Sequence, residues 1–250
     1  VPSGETEPPR IALRGIRKSF GSIEALRGVD LDVMPGECVG LIGDNAAGKS
    51  TLTKIISGTY VADAGTIAVD GEQVRFTAPA DARAHHIEMV FQDLSLCDHI
   101  DVMGNLFLGR EMTRWSFLDN RRMKARAREM LSDLDIRIPN LHAKVAQLSG
   151  GQRQAIAIAR AASFQPRLLI MDEPTSALAV AEVEAVLRLI NRVKARGVSV
   201  ILITHRLQDL FEVCDKIAVM YEGTKVAERE TRRTQLDELV KLIVGKGEAI

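Results

Sequence analysis

"ECVGLIGDNAAGKSTLTKIISG", residues 37–58, decides the fold. It opens with a short, almost wholly apolar run ending at Gly43, the mark of a strand buried on both faces. It closes with KSTLTKIISG, where Leu52, Ile55 and Ile56 share one helical face and Gly58 supplies a C-terminal cap. Between them, Gly43, Gly48, Lys49 and Ser50 fit the spacing GxxxxGK[ST]. A strand, a glycine loop and a helix in that order make a phosphate cradle. The loop's N–H groups converge on an anion at a helix N-terminus, whose dipole favours negative charge. Lys49 is expected to reach the β- and γ-phosphates, and Ser50 to offer a hydroxyl to Mg²⁺. The candidate cradle is therefore Gly43, Asp44, Asn45, Ala46, Ala47, Gly48, Lys49, Ser50 and Thr51. Ala46 stands where many such loops carry another glycine. A positive φ there would strain it by roughly 1 kcal/mol.

A metal and an attacking water need a carboxylate at the end of another buried strand, and LLIMDEP at 168–174 supplies one. Asp172 is placed to orient the metal's water shell, and Glu173, one residue further on, to polarise a water. VSVILITH (198–205) is a further buried run. Outward from these, the stretches beginning at Ile11 and Ile23 alternate like half-buried antiparallel strands, and GTIAVDGEQV reads as a hairpin turning at Asp70-Gly71. AEVEAVLRLINRVKARG carries Val183, Val186, Leu187, Ile190 and Val193 at helical spacing and closes at Gly197. DKIAVMYEGTKVAERE reads as a final hairpin and TQLDELVKLIV as a last helix. From about Asp93 to Gln147 strand signals vanish, and Met123, Ala127, Met130, Leu131 and Leu134 form one helical stripe. The pattern predicts an α/β core with a mostly parallel sheet, and an inserted helical subdomain.

LSGGQRQAIAIARAAS, at 148–163, chooses among phosphate-handling proteins. No guanine-reading NKxD stretch is present. Instead Ser149 can cap a helix, and Gly150 and Gly151 allow close approach of a backbone or an anion. This is a second phosphate-type helix start, about twenty residues before the acidic pair.

With these motifs in this order, nearly the whole chain resembles the ATP-binding cassette (ABC) ATPase family. The resemblance implies a P-loop NTPase core, comprising a mostly parallel sheet with an antiparallel β subdomain, plus an inserted α-helical subdomain. The expected boundaries are a disordered lead-in at 1–10, a core at 11–92 and 164–250, and a helical subdomain at about 93–163. It also implies that Phe20 stacks on adenine and that GDNAAGKST is the Walker A motif. Gln92, in VFQD, matches the residue contacting Mg²⁺ and its water. Ser149, Gly150, Gly151 and Gln152 belong to the signature that meets ATP. Asp172 matches the Walker B aspartate at the metal, Glu173 the catalytic base, and His205 the switch histidine at the γ-phosphate.

One motif departs: SALA, ending in Ala179, replaces SALD, which puts a cross-subunit aspartate contact in doubt. The family also implies head-to-tail pairing, with each ATP between one subunit's Walker A and the other's signature. One copy of each motif then calls for a second subunit, in the simplest case a homodimer.

The region "VFQDLSLCDHIDVMGNLFLGRE" resembles the ATPases of bacterial carbohydrate importers handling ribose, xylose, fructose or galactose. The implied partners are integral-membrane permease subunits and, indirectly, a periplasmic or extracellular sugar-binding protein. The implied place is the cytoplasmic face of the inner membrane. Residues 93–111 are the candidate permease-facing surface, with Leu106, Phe107 and Leu108 as apolar contributors or as packing of the insert's own core. Competing readings are an ABC subunit for another cargo and a soluble ABC protein on ribosomes or nucleic acid. The latter usually carries two cassettes or a long coiled coil.

Bulk properties agree. The 33 basic and 33 acidic residues balance, so no whole-chain field draws nucleic acid, and none is expected as a partner. Cys38, Cys97 and Cys214 form no CxxC pair, which argues against disulfides or thiolate zinc. No apolar stretch approaches the roughly 20 residues that span a bilayer, and the polar, proline-rich start carries no signal-peptide pattern. The basic run at 121–128 reads as a solvated helix face, and His85-His86 lacks nearby ligands for a transition metal.

Overall fold

Every side chain from Cys38 to Ile42 is buried, as expected for a strand covered on both faces. The computed structural model describes residues 7–243. In chain order, β1 (Ile11–Phe20) and β2 (Ile23–Val33) pair antiparallel, and β3 (Cys38–Gly43) leads through the glycine loop into α1 (Lys49–Ile56). The hairpin of β4 (Ala64–Val69) and β5 (Glu72–Val74) turns at Asp70 and Gly71, with φ of 51° and 83°. Next come α2 (Pro79–Ala84), β6 (Ile87–Val90), α3 (Val102–Phe107), β7 (Thr113–Arg114), β8 (Phe117–Leu118), α4 (Asn120–Asp133) and α5 (Gly150–Ala162). The chain returns to the core with β9 (Leu168–Asp172), α6 (Val180–Ala195), β10 (Ser199–Ile203), α7 (Leu207–Val213), β11 (Lys216–Tyr221), β12 (Thr224–Glu230) and α8 (Leu236–Ile243).

The central sheet has the order β12-β11-β3-β10-β9-β6. All its pairs are parallel except β11 with β12. Alternate residues of its strands enter two cores. Cys38, Ile42, Leu169, Met171, Val200 and Leu202 face the helices of the insert together with α6 and α7. Val39, Leu41, Leu168, Ile170, Ile201 and Ile203 face α1 and the antiparallel sheet β2-β1-β4-β5. That two-sided burial explains why the parallel strands read as continuous apolar runs, whereas the outer sheet alternates.

Several expectations need correction. The insert is not all helical: β7 and β8 form a small ribbon inside it. Its turn, Trp115-Ser116, holds φ of 54° and 68° without the Gly or Asn that usually marks such turns, so no sequence signal announced it. Of the expected lead-in, residues 1–6 lie outside the described residues, as does Val244, the last residue of the stretch read as a final helix. Arg10, by contrast, is tied down: its guanidinium pairs with Asp70, and its carbonyl accepts the Asp70 amide at 3.2 Å. Cys38 and Cys214, remote in sequence, are brought together as free thiols 3.6 Å apart, and their contact and burial push the Cys214 thiol well up.

Candidate active site

Parallel topology gathers the chemistry at one edge of the sheet. The glycine loop follows β3, Asp172 ends β9, His205 lies two residues past β10, and Gln92 two past β6. These are all carboxyl ends of parallel strands, where open α/β sheets bind ligands. An open cleft of about 540 Å³ is lined there by Phe20, Asn45, Ala46, Ala47, Gly48, Lys49, Ser50, Thr51, Gln92, Asp172, Glu173 and His205. Glu24 and Ala25, to which no motif pointed, also line it, as does Ser176, the first residue of SALA.

Glycine is required by space in the loop. A Cβ on Gly43 would meet the Met220 carbonyl oxygen at 2.1 Å, and one on Gly48 the Ala25 carbonyl oxygen at 2.7 Å. Ala46 takes a φ of 70°, so the anticipated strain is present. Gly43 and Asp44 do not line the cleft; their carbonyls each accept from the Lys49 ammonium at 2.8 Å. Burial lowers the Lys49 pKa, and the charges of Glu173, Asp172 and Asp44 oppose that shift.

Asp172 is 8% exposed. Burial and the charge of Glu173 push its carboxyl above the usual aspartate range, against the Ser50 hydroxyl and the charges of Lys54 and Lys49. A carboxyl raised by burial and by its acidic neighbour suits a hard divalent cation, which would neutralise both acids. Glu173 leaves the sheet in the left-handed region, at φ 53°. Its amide still bonds the Ile203 carbonyl at 2.9 Å. Its carboxylate lies 2.6 Å from His205 Nδ1, and since an ionised carboxylate only accepts, the ring donates. Phe20 stands edge-on to Tyr60 at 5.2 Å and remains 42% exposed at the cleft mouth.

The signature residues are elsewhere. Ser149 caps α5 reciprocally with Gln152: the Gln152 amide donates to Ser149 Oγ at 3.3 Å, and the Ser149 amide to Gln152 Oε1 at 3.0 Å. Ser149, Gly151 and Gln152 line a separate cleft against α6, outside the one holding Lys49. Sequence reasoning missed Glu182, whose carboxylate accepts the Gly151 amide at 3.1 Å and the Ala179 amide at 3.2 Å. Bonds from Ser149, Gly151 and Ala179 hold its pKa below the usual glutamate range. The readable signal was A-x-x-E at 179–182, a capping box whose first member has lost its oxygen. Glu182 thus takes the amide of Gly151, a residue that the family resemblance places at ATP. At the other end of α5, Arg160 donates to the carbonyls of Leu94 and Ser95, both at 2.9 Å and just past Gln92.

Within the insert, Leu106 and Phe107 are buried, and only Leu108, at 43% exposure, remains a surface residue of that trio. Among the described residues, no cluster of three or more His, Cys, Asp or Glu could hold a metal by itself, and no helix is long and apolar enough to cross a membrane.

A glycine loop and an acidic strand end sharing one cleft, with a capped glycine helix set apart, define an ATP-binding cassette. The chain belongs to the ABC transporter family, whose model matches residues 26–176. It is 42% identical to a xylose/arabinose import ATP-binding protein of Sulfolobus acidocaldarius, over 93% of each chain. It is 44% identical to a ribose import ATP-binding protein of Burkholderia mallei over 94% of its own length, but spans only 47% of that relative. Among solved structures, the ADP-bound dimer of a post-hydrolysis ATP-binding cassette matches with a TM-score of 0.76 at 25% identity, covering 90% of this chain and 100% of that one. The twinning structure of another ABC transporter cassette matches with a TM-score of 0.82 at 28% identity, covering 95% and 98%.

Proposed function

We propose that this chain is the ATP-hydrolysing subunit of an ABC importer for a monosaccharide, working beneath a membrane permease in a homodimer. The observation that carries the reading is the separation of Lys49, Asp172 and Glu173, in one cleft, from Ser149 and Gly150, exposed on another face. Neither half surrounds a triphosphate alone. Head-to-tail pairing of two copies would set the capped helix of one over the cradle of the other. Similarity to xylose/arabinose and ribose import proteins supports the cargo class.

In this reading the Lys49 ammonium exchanges its carbonyl partners for β- and γ-phosphate oxygens, and Phe20 offers its exposed ring to adenine. Ser50, Gln92 and Asp172 would hold Mg²⁺, which would supply positive charge against the charge that develops on the phosphates. Glu173 orients and deprotonates the attacking water, while His205 positions Glu173 and contacts the γ-phosphate. Ser149 and Gly150 donate to the γ-phosphate held by the partner copy, and hydrolysis removes that tether and opens the pair. The insert, residues 93–163, would move as the unit that meets the permease, and the chain would sit peripherally at the cytoplasmic membrane face.

Glu173→Gln tests this: it should keep ATP binding, lose most turnover and accumulate an ATP-bound dimer on gel filtration. Continued rapid turnover would remove Glu173 from its role. Co-purification from native membrane with a permease, and loss of growth on a single monosaccharide after gene deletion, test the transport reading. Recovery only with ribosomes or DNA would overturn it.

A further inference from the structure

The ribbon of β7 and β8 projects the two most exposed large apolar side chains of the described residues, with a third, Leu118, beside them. Trp115 is 86% exposed, Phe117 79% and Leu118 56%. Its tip is fixed: Trp115 and Ser116 both sit at positive φ, and the Asp119 amide closes onto the Met112 carbonyl at 2.8 Å. Holding a tryptophan in the left-handed region costs about 1 kcal/mol or more and brings it no packing in return.

The charges beside this tip are one-sided. Between Glu111 and Arg126 the sequence has five basic residues against two acidic ones, in a protein whose total charge balances. Arg114, Arg121 and Arg122 are exposed, and among the described residues none forms an ion pair. Both nearby acids are engaged by backbone: Glu111 accepts the Gly109 amide, and Asp119 caps α4 through the Arg122 amide.

We propose that this ribbon and the first turn of α4 form a membrane-contact edge that inserts Trp115, Phe117 and Leu118 among the headgroups of an anionic lipid surface, with Arg114, Arg121 and Arg122 on the phosphates. A rigid aromatic tip flanked by unpaired arginines matches the interfacial layer, where tryptophan partitions and each basic side chain adds attraction to anionic lipid. A purely solvated face accounts for the arginines but not for three exposed apolar groups at one tip. The cargo and the permease reading do not enter this argument, so the two can fail separately.

The chain's only tryptophan is Trp115, so its fluorescence reports on the tip alone. Full-length protein is titrated with vesicles of phosphatidylcholine, with or without phosphatidylglycerol, at low and high salt. A blue-shifted emission and co-sedimentation are expected with phosphatidylglycerol, weakened by salt and absent with phosphatidylcholine alone. Arg121→Ala with Arg122→Ala should lower the partition coefficient by about thirtyfold. Trp115→Ser with Phe117→Ser should abolish sedimentation, while lipid-free ATPase activity stays unchanged in both variants and verifies folding. Unshifted emission with every vesicle would overturn the proposal. A shift appearing only with permease in neutral-lipid nanodiscs would overturn it too and assign the tip to a protein partner.

Discussion

Two neighbouring alanines in the phosphate loop should respond to glycine with opposite signs. Ala46 is exposed and holds a φ of 70°. Relief of left-handed strain is worth about 1–2 kcal/mol. Glycine's extra freedom in the unfolded chain takes back about 0.4–1 kcal/mol. Ala46→Gly should therefore stabilise the nucleotide-free protein by about 0.5–1 kcal/mol. Ala47 is 2% exposed and has no positive φ. Ala47→Gly loses a buried methyl, about 0.8 kcal/mol, along with the same unfolded-state term, and should destabilise by about 1–2 kcal/mol. The gap of about 2 kcal/mol corresponds to melting temperatures roughly 4–8 °C apart at this chain length. Calorimetry without nucleotide measures it, with urea unfolding at equal m-values as a second readout. ATP affinity of Ala46→Gly should stay near the parent's, because the loop geometry is kept. If both substitutions destabilise equally, Ala46 is not in the left-handed region and the strain argument is wrong.

Ala179→Ser should return a side-chain acceptor to the N-cap of α6 and stabilise the protein by about 1 kcal/mol, read in the same calorimeter; no gain would mean that Glu182 alone satisfies that helix end. The raised Asp172 pKa makes the folded, nucleotide-free protein hold a proton that the unfolded chain has released. Its contribution to stability therefore falls as pH rises from the ordinary aspartate value of 3.8 through the elevated one, then stays level. Urea midpoints of Asp172→Asn should gain on the parent across that window, and parallel curves would refute the shift. Arg160→Ala should leave ATP affinity near the parent's while lowering turnover and speeding hydrogen exchange at Leu94 and Ser95; unchanged exchange there would show that the clamp holds nothing.

Legibility followed the length scale of the interaction. Residues whose role is set by neighbours in sequence were readable: the loop Gly43–Ser50, Ser149 as the cap of α5, and the Asp70-Gly71 turn. Asp172 was readable from its place at the end of a buried strand, whereas Gln92 and His205 came only from the family resemblance; the parallel sheet sends all three strand ends to the same edge. The failures lie where side chains from distant elements meet. Glu182 under the signature, Arg160 on the segment after Gln92, and the Cys38–Cys214 contact join positions that no local period relates. Trp115-Ser116 escaped for another reason, since its turn uses residues that ordinarily avoid positive φ.

Those distant contacts also say how the two half-sites communicate within one copy. Helix α5 runs 13 residues, about 20 Å, from the capped signature toward the segment that follows Gln92. Its first turn is pinned to α6 by Glu182, and its last turn grips two carbonyls through Arg160. A helix clamped at both ends passes a displacement along its axis rather than absorbing it. A phosphate drawing on Ser149 from the partner's cradle would then shift the Leu94-Ser95 backbone and, through it, Gln92 at this copy's own metal position. Glu173 and Lys49 both hold internal partners beforehand, His205 for the acid and two loop carbonyls for the amine. Their release needs a competing ligand, so the chemistry of each copy waits for ATP in its own cleft. Under the proposed head-to-tail pairing, the position of Gln92 would wait for the partner's ATP, and alternation between open and closed pairs would follow from that division.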